Sequence, residues 1–343
     1  MQRDWVHLLF FLIIFLALAS NRSSSQDVSS QENQAQEVLP QETIRSQSNV
    51  VVIPALVKDA RGEIVYGLGA NDFVVEDAGV EQAVRLDEEA EGRPLSMVVA
   101  IQRGRRANYE FPRIRGLSAM LNPLLDSGLS RIAIVEYDSG VQLSQDFTSN
   151  SGAIAETLRE LQPGDGGAAI LDALDYSVKL LQDVPRERQR VLLLISETRD
   201  HGSHEAKIDQ VVAEIGQSNT AIYALAFSPS RSNVLDTMRG NNMDEMHPSP
   251  DFMAPLIMAA EAMKKNAPKT VASMSGGEYE LFATQKHFDA RMIDFTNHLH
   301  SRYLLSIEPK NPHPGLHQLR VRLRNPADRT VLARTSYWAA GAK

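Results

Sequence analysis

Leu95-Ser-Met-Val-Val-Ala-Ile101, followed by Gln102-Arg-Gly-Arg-Arg-Ala107, is the stretch whose reading decides the fold. A short apolar run that ends in a polar turn before a helical pattern reads as a buried parallel strand feeding a helix. Ligands of such folds sit beyond the carboxyl ends of the strands, so the 102–108 loop is where function is sought.

Around this strand, from Leu95 to Arg302, strand and helix patterns alternate as in a doubly wound α/β domain. Strands are predicted at Leu95–Ile101, Arg131–Tyr137, Val141–Phe147, Arg190–Ser196, Thr220–Phe227 and Glu278–Leu281. Helices are predicted at Phe111–Leu125, Ser151–Leu161, Ala168–Leu181, Ala206–Ser218, Phe252–Asn266 and His287–Arg302. Ser149-Asn-Ser151 and Asp165 have the side chains of helix N-caps.

Both flanks read as strands instead: Val50–Val57, Glu63–Leu68 and Asp72–Glu76 before the domain, then Tyr303–Glu308, His317–Arg324 and Thr330–Tyr337 after it. So few strands in residues 50–90 do not close a core alone. The expectation is one small β-sandwich made from residues 50–90 and 303–340, with the α/β domain of residues 95–302 inserted between its halves.

The chain has 343 residues, 43% of them hydrophobic, which is room for two domains. A net charge of −8 argues against a general nucleic-acid binder, and the lack of cysteine excludes thiol catalysis and Cys-based zinc sites. Arg3 precedes the apolar run Leu8–Ala19, which ends in the small residues of a cleavage site, so residues 1–19 read as an export signal. The run is short of the about 20 residues that span a bilayer. Residues 20–49, rich in Ser, Gln and Glu, read as a disordered linker. The expected location is periplasmic or extracellular, with membrane attachment only if the signal stays uncleaved.

Several short motifs then fall in a familiar order: Lys58-Asp59…Gly62, Asp72-Phe73…Glu76-Asp77, Gln145-Asp-Phe-Thr148, Gly166-Gly-Ala-Ala-Ile-Leu-Asp-Ala-Leu174, Leu192-Leu-Leu-Ile-Ser-Glu197, Ser275-Gly-Gly-Glu-Tyr279, Tyr303-Leu-Leu-Ser-Ile and Arg334-Thr-Ser-Tyr-Trp338. In this order the chain resembles the von Willebrand factor A fold, specifically the exported bacterial group called VWFA-related (acidobacterial) proteins. The resemblance implies a metal-ion-dependent adhesion site. There an Asp-x-Ser-x-Ser loop, a Thr and an Asp hold Mg²⁺ octahedrally and leave one position for a partner's carboxylate. Here the loop ligands fall on Gln102, Gly104 and Arg106, the Thr falls on Ala168 and the last Asp on Glu197. One carboxylate among five positions, beside Arg103, Arg105 and Arg106, does not suit a divalent cation, so no metal and no cofactor are expected.

Two readings of that loop stand side by side. The arginine forks can accept a carboxylate or phosphate of an acidic partner directly. Alternatively, Glu197 and Asp200 pair with the arginines and leave a self-neutralised surface, the reading slightly favoured on the sequence. The partner-binding face is thus assigned to Gln102, Arg103, Gly104, Arg105, Arg106, Ala168, Glu197 and Asp200.

Other chemistry is weaker. Asp200, His201, His204 and Glu205 could form a zinc hydrolase site, but the His-Glu-x-x-His pattern is missing and a polar loop capping the helix after the fourth strand explains them. Pro163-Gly-Asp-Gly-Gly167 lacks the Lys-Ser/Thr pair of a phosphate loop and reads as a tight connection, with Asp172 bonding neighbouring loops. Seven of the eleven methionines lie between Met238 and Met274, and within the long 228–255 loop the Met238–Pro250 part reads as a partner-facing lid. No Gly-x-Ser-x-Gly elbow is present. The function expected is a non-enzymatic protein-binding, adhesion or envelope-assembly module independent of metal. Its partner is an unspecified protein or envelope component, an acidic one if the arginines receive it. A divergent Mg²⁺-dependent module and a hydrolase at Asp200/His201/His204 are the alternatives.

Overall fold

The structure is a computed structural model that describes residues 50–87, 93–126, 128–227, 253–310 and 312–340. The expected signal, the linker and most of the methionine-rich loop lie outside the described residues.

In chain order the elements are β1 (Val51–Lys58), β2 (Phe73–Asp77), β3 (Val80–Gln82), β4 (Arg85–Leu86), β5 (Leu95–Gln102), α1 (Phe111–Ile114), α2 (Leu117–Leu125), β6 (Arg131–Tyr137) and β7 (Val141–Thr148). Then follow α3 (Ser151–Arg159), α4 (Ile170–Gln182), β8 (Gln189–Ser196), α5 (Ile208–Gln217), β9 (Thr220–Phe227), α6 (Ala254–Lys265), α7 (Ala267–Ser275), β10 (Tyr279–Phe282) and α8 (Gln285–His300). The chain closes with β11 (Tyr303–Ile307), β12 (Gly315–Leu323), β13 (Thr330–Ala333) and β14 (Ser336–Ala339).

All of β5 is buried, because it is flanked by parallel β6 and β8 and covered on both faces. The six-stranded sheet has the order β10-β9-β8-β5-β6-β7, with only the edge strand β7 antiparallel. Alternate residues of β5 serve opposite layers, as a strand's period of two requires. Met97, Val99 and Ile101 pack with Leu117 and Leu121 of α2 and Phe288, Met292 and Phe295 of α8. Val98 and Ala100 pack with Leu174 and Val178 of α4, Val212 of α5 and Val271 of α7. This is the expected doubly wound domain.

The flanking strands form two four-stranded sheets, β13-β1-β11-β4 and β14-β12-β2-β3. Ile53, Val57, Phe73, Val75, Leu305, Ile307, Leu319 and Tyr337 share one core, so strands from both ends of the chain close a sandwich around an inserted α/β domain.

Four expectations need correction. The stretch Glu63–Leu68 is no strand; Ile64 bridges Lys58, but Tyr66 and Leu68 bond to the Ser301 and Tyr303 side chains instead of to a neighbouring strand. The single helix expected over Phe111–Leu125 breaks after Ile114, ahead of Gly116. Helix α7 follows α6 almost directly, where the sequence reading had placed none; Asn266 caps it by accepting from the Lys269 N–H at 3.0 Å. Finally, Thr330–Tyr337 is two strands in opposite sheets, since the chain crosses between them at Arg334 and Thr335. Among the described residues no helix is long and apolar enough to cross a membrane.

Candidate functional site

At the carboxyl ends of the parallel strands, four connections converge: 102–106 after β5, 138–140 after β6, 163–169 before α4 and 197–206 after β8. Glycine permits the closeness. A Cβ on Gly104 would run into the carbonyl of Gly167, and one on Gly167 would strike the Ser139 backbone. The Pro163–Gly167 segment is thus the tight connection expected, with Asp165 as its clasp. The Asp165 carboxylate accepts from Gly167 N at 2.7 Å, from Ser139 N at 3.1 Å and from the Ser139 hydroxyl. The Ser139 and Gly167 hydrogen bonds hold its pKa below the ordinary value. It caps no helix; the cap predicted around residue 150 is Asn150, which accepts from Gly152 and Ala153.

The floor of the site is Gln102 beside Glu197, both buried. The Gln102 carbonyl oxygen accepts the Glu197 N–H at 2.8 Å, while its amide nitrogen donates to Glu197 Oε1 and Gly104 O, each at 3.3 Å. Arg105 turns back over this floor because its backbone is left-handed, φ +56°, and its N–H donates to Asp165 O at 2.9 Å. Its Nε donates to both Glu197 oxygens, at 3.1 and 3.3 Å. The two terminal nitrogens of Arg105 make no hydrogen bond to the described residues, and the side chain is 39% exposed.

Arg103 points the other way. Its terminal nitrogens lie 3.0 Å from Asp138 Oδ2 and 3.6 Å from Glu136 Oε2. These two carboxylates were missed by sequence reading, although Tyr137 between them is in register with Gln102 on the neighbouring strand. The signal was available: they end the strand next to β5, where site residues gather. Beneath the face Tyr137 is fully buried; burial, then the Glu197 and Asp200 charges, push its pKa well up, so it is a neutral hydroxyl. Arg106 is exposed at the rim.

Asp200 does not join the arginines. Its Oδ1 accepts from Leu171 N at 3.1 Å and from the Ser203 hydroxyl at 2.5 Å, and that hydroxyl accepts from Leu171 and Asp172 N–H groups. In return Asp172 accepts from His204, Glu205 and Ala206 N–H groups at 2.7–3.2 Å. The polar loop therefore caps the start of α4, the preceding helix, rather than the helix after β8, and Asp172 does bond the neighbouring loop. Ala168 and His201 pair through their main chains, at 2.6 and 2.8 Å. His201 and His204 are exposed, and among the described residues no three His, Asp or Glu side chains are grouped to hold a metal.

With this geometry in view, residues 105–199 match the family of von Willebrand factor type A domains. No curated protein matches the chain. Among solved structures it is similar to the conserved hypothetical protein BatB of Bacteroides thetaiotaomicron, at 12% identity and TM-score 0.39, over 60% of this chain and 98% of that one. It is likewise similar to the vWF domain of the type V pili tip protein Mfa5 of Porphyromonas gingivalis, at 10% identity and TM-score 0.39, over 60% and 96%. A mutant of the PilB minor pilin of Streptococcus sanguinis matches at 11% identity and TM-score 0.42, over 63% and 64%.

Proposed function

We propose that the chain is an exported, non-enzymatic protein-interaction module whose upper face, the loop cluster just described, works without a divalent cation. The observation that carries this is Arg105 Nε on the carboxylate of Glu197, the one acidic residue among the five positions where metal ligands would stand. Gln102 offers a neutral amide oxygen that already accepts from Glu197 N. These residues do not fit Mg²⁺: a positively charged side chain already neutralises the carboxylate, and the remaining positions are Gly104, Arg106 and Ala168.

The self-neutralised reading accounts for Arg103, which is matched by Glu136 and Asp138. It leaves the outer edge of Arg105 to receive a partner's carboxylate on a guanidinium fork, at a rim that also carries Arg106. Gln102, Gly104, Ala168, Glu197 and Asp200 then serve as the frame that presents those two arginines. Solved structures to which the chain is similar include a pilus tip protein and a minor pilin, in keeping with a role in the envelope or beyond it.

Thermal melts in Mg²⁺ and in a chelator test the metal reading, because a cation bound only to the folded state raises its apparent stability. The midpoints should coincide; a rise in Mg²⁺ would overturn the proposal. Crosslinking in the native envelope tests the face. A partner should be captured in chelator and lost in R105Q/R106Q, and undiminished capture by that variant refutes the arginine edge.

A further inference from the structure

Four arginines at the opposite end of the same sheet take no part in the upper face. Arg131 opens β6 and Arg190 lies in β8, and both are in register with Ser96 of β5 between them. Adjacent strands are about 4.8 Å apart, which puts these two arginines about 10 Å apart on one side of the sheet. Arg188 reaches across Ser96, with Nε on its hydroxyl at 2.6 Å and Nη2 on the carbonyls of Leu95 and Leu129 at 2.6 and 2.7 Å. Arg190 donates to the carbonyls of Val184 at 2.6 Å and Gln182 at 3.2 Å, where α4 ends. Arg186 is exposed in the turn between α4 and β8.

Every hydrogen-bond acceptor here is neutral, and among the described residues none of the four arginines has a carboxylate within ion-pair distance. Burial and the Arg131 charge lower the Arg188 pKa; burial and Arg186 lower that of Arg190, while Asp183 and Glu187 act against it. The four arginines outnumber Asp183 and Glu187, the carboxylates that act on Arg190, on a chain of net charge −8. Beside it Leu129 is 59% exposed.

We infer that this end of the sheet docks on an anionic phospholipid surface, with Arg131 and Arg186 against headgroup phosphates and Leu129 entering the interface. Guanidinium forks match phosphate oxygens, and Arg188 and Arg190, fixed by carbonyls, hold the strand ends that carry the patch. Arginine next to an exposed apolar side chain is the chemistry of an interfacial contact; a soluble polyanion would draw nothing from the leucine. Because the two ends of the strands are opposed, this docking turns the 102–106 loop away from the lipid.

The test is co-sedimentation of the full chain with phosphatidylglycerol vesicles and with phosphatidylcholine vesicles, alongside R131Q/R186Q and L129S variants. The same N terminus is present throughout, so differences between the proteins report the patch. Each cation is expected to contribute about fivefold, so R131Q/R186Q should bind the anionic vesicles about twenty-five-fold more weakly. Salt should weaken wild-type binding too. L129S should show a smaller loss. Equal binding by R131Q/R186Q at an unchanged melting temperature, equal binding to both vesicles, or stabilisation by inorganic phosphate without vesicle binding would each overturn the inference.

Discussion

At the upper end of the sheet Arg103 and Arg105 are set against Glu136, Asp138 and Glu197, whereas at the lower end Arg188, Arg190 and Arg334 are held by carbonyl and amide oxygens. The same residue type thus has two consequences. Above, the positive charge is spent on buried carboxylates and replaces what a cation would do there. Below, neutral oxygens receive the guanidinium donors, the buried Nε of Arg190 excepted, while the charge is left over. A buried arginine paired only with neutral oxygens is costly to desolvate, and Arg334 shows it: burial lowers its pKa to about 10. At neutral pH it is still a cation.

Arg334 offers the most severe way to break the comparison. Its guanidinium joins the Gly216 carbonyl at 2.5 Å, Val52 O at 3.1 Å, Asn219 Oδ1 at 3.2 Å and Ser336 O at 2.7 Å, tying the sandwich to the α/β domain. Arg334→Met strands those acceptors and should cost about 4 kcal/mol, read by urea denaturation. An effect below that of the upper-face variants would show that neutral partners anchor less than paired ones.

At the lower end Glu278 is a carboxylate that does gather cations. It accepts from His298 at 3.0 Å, Arg302 at 2.8 Å and Lys58 at 3.3 Å. Burial alone would raise its pKa, but the His298 hydrogen bond and the charges of Arg302, His298 and Lys58 bring it down to about 2. A carboxyl depressed on folding stabilises above its unfolded pKa, and that stability is lost as pH falls through the folded value. Glu278→Gln should therefore cost about 3 kcal/mol at neutral pH, with the gap to wild type closing between about pH 4.5 and pH 2. A gap independent of pH would show that the cluster acts by packing.

A smaller loss is expected at the upper face. Arg105→Gly keeps the left-handed backbone but leaves Glu197 unpaired, and should cost about 2 kcal/mol, less than a wholly buried pair because Arg105 is partly exposed. Adding Glu197→Gln should recover part of that loss; no recovery means the ion pair is not what holds the loop. The smallest effect belongs to R131Q/R186Q, whose melting curve should match wild type within about 0.5 kcal/mol, since neither side chain bonds to the described residues.

The central architecture was legible because period and burial coincide. β6 and β9 were predicted at their observed bounds, and β5 and β8 within one residue, as continuous apolar runs are what strands covered on both faces require. The closing strands were harder: Thr330–Tyr337 reads as one strand, yet Arg334 turns the chain from one sheet to the other. At the candidate site, sequence placed Gln102, Arg105 and Glu197 together, but assigned Asp200 to the arginines and overlooked Glu136 and Asp138.

By itself, then, the sequence determined the doubly wound domain, its insertion between strands from the two flanks, and the poverty of oxygen ligands around Gln102, because these follow from apolar periodicity and from residue chemistry. Only the tertiary structure decided which arginine meets which carboxylate. That choice depends on strand register, on the left-handed turn at Arg105 and on the close approach of Gly104 to Gly167, none of which is written in the pattern of residue types.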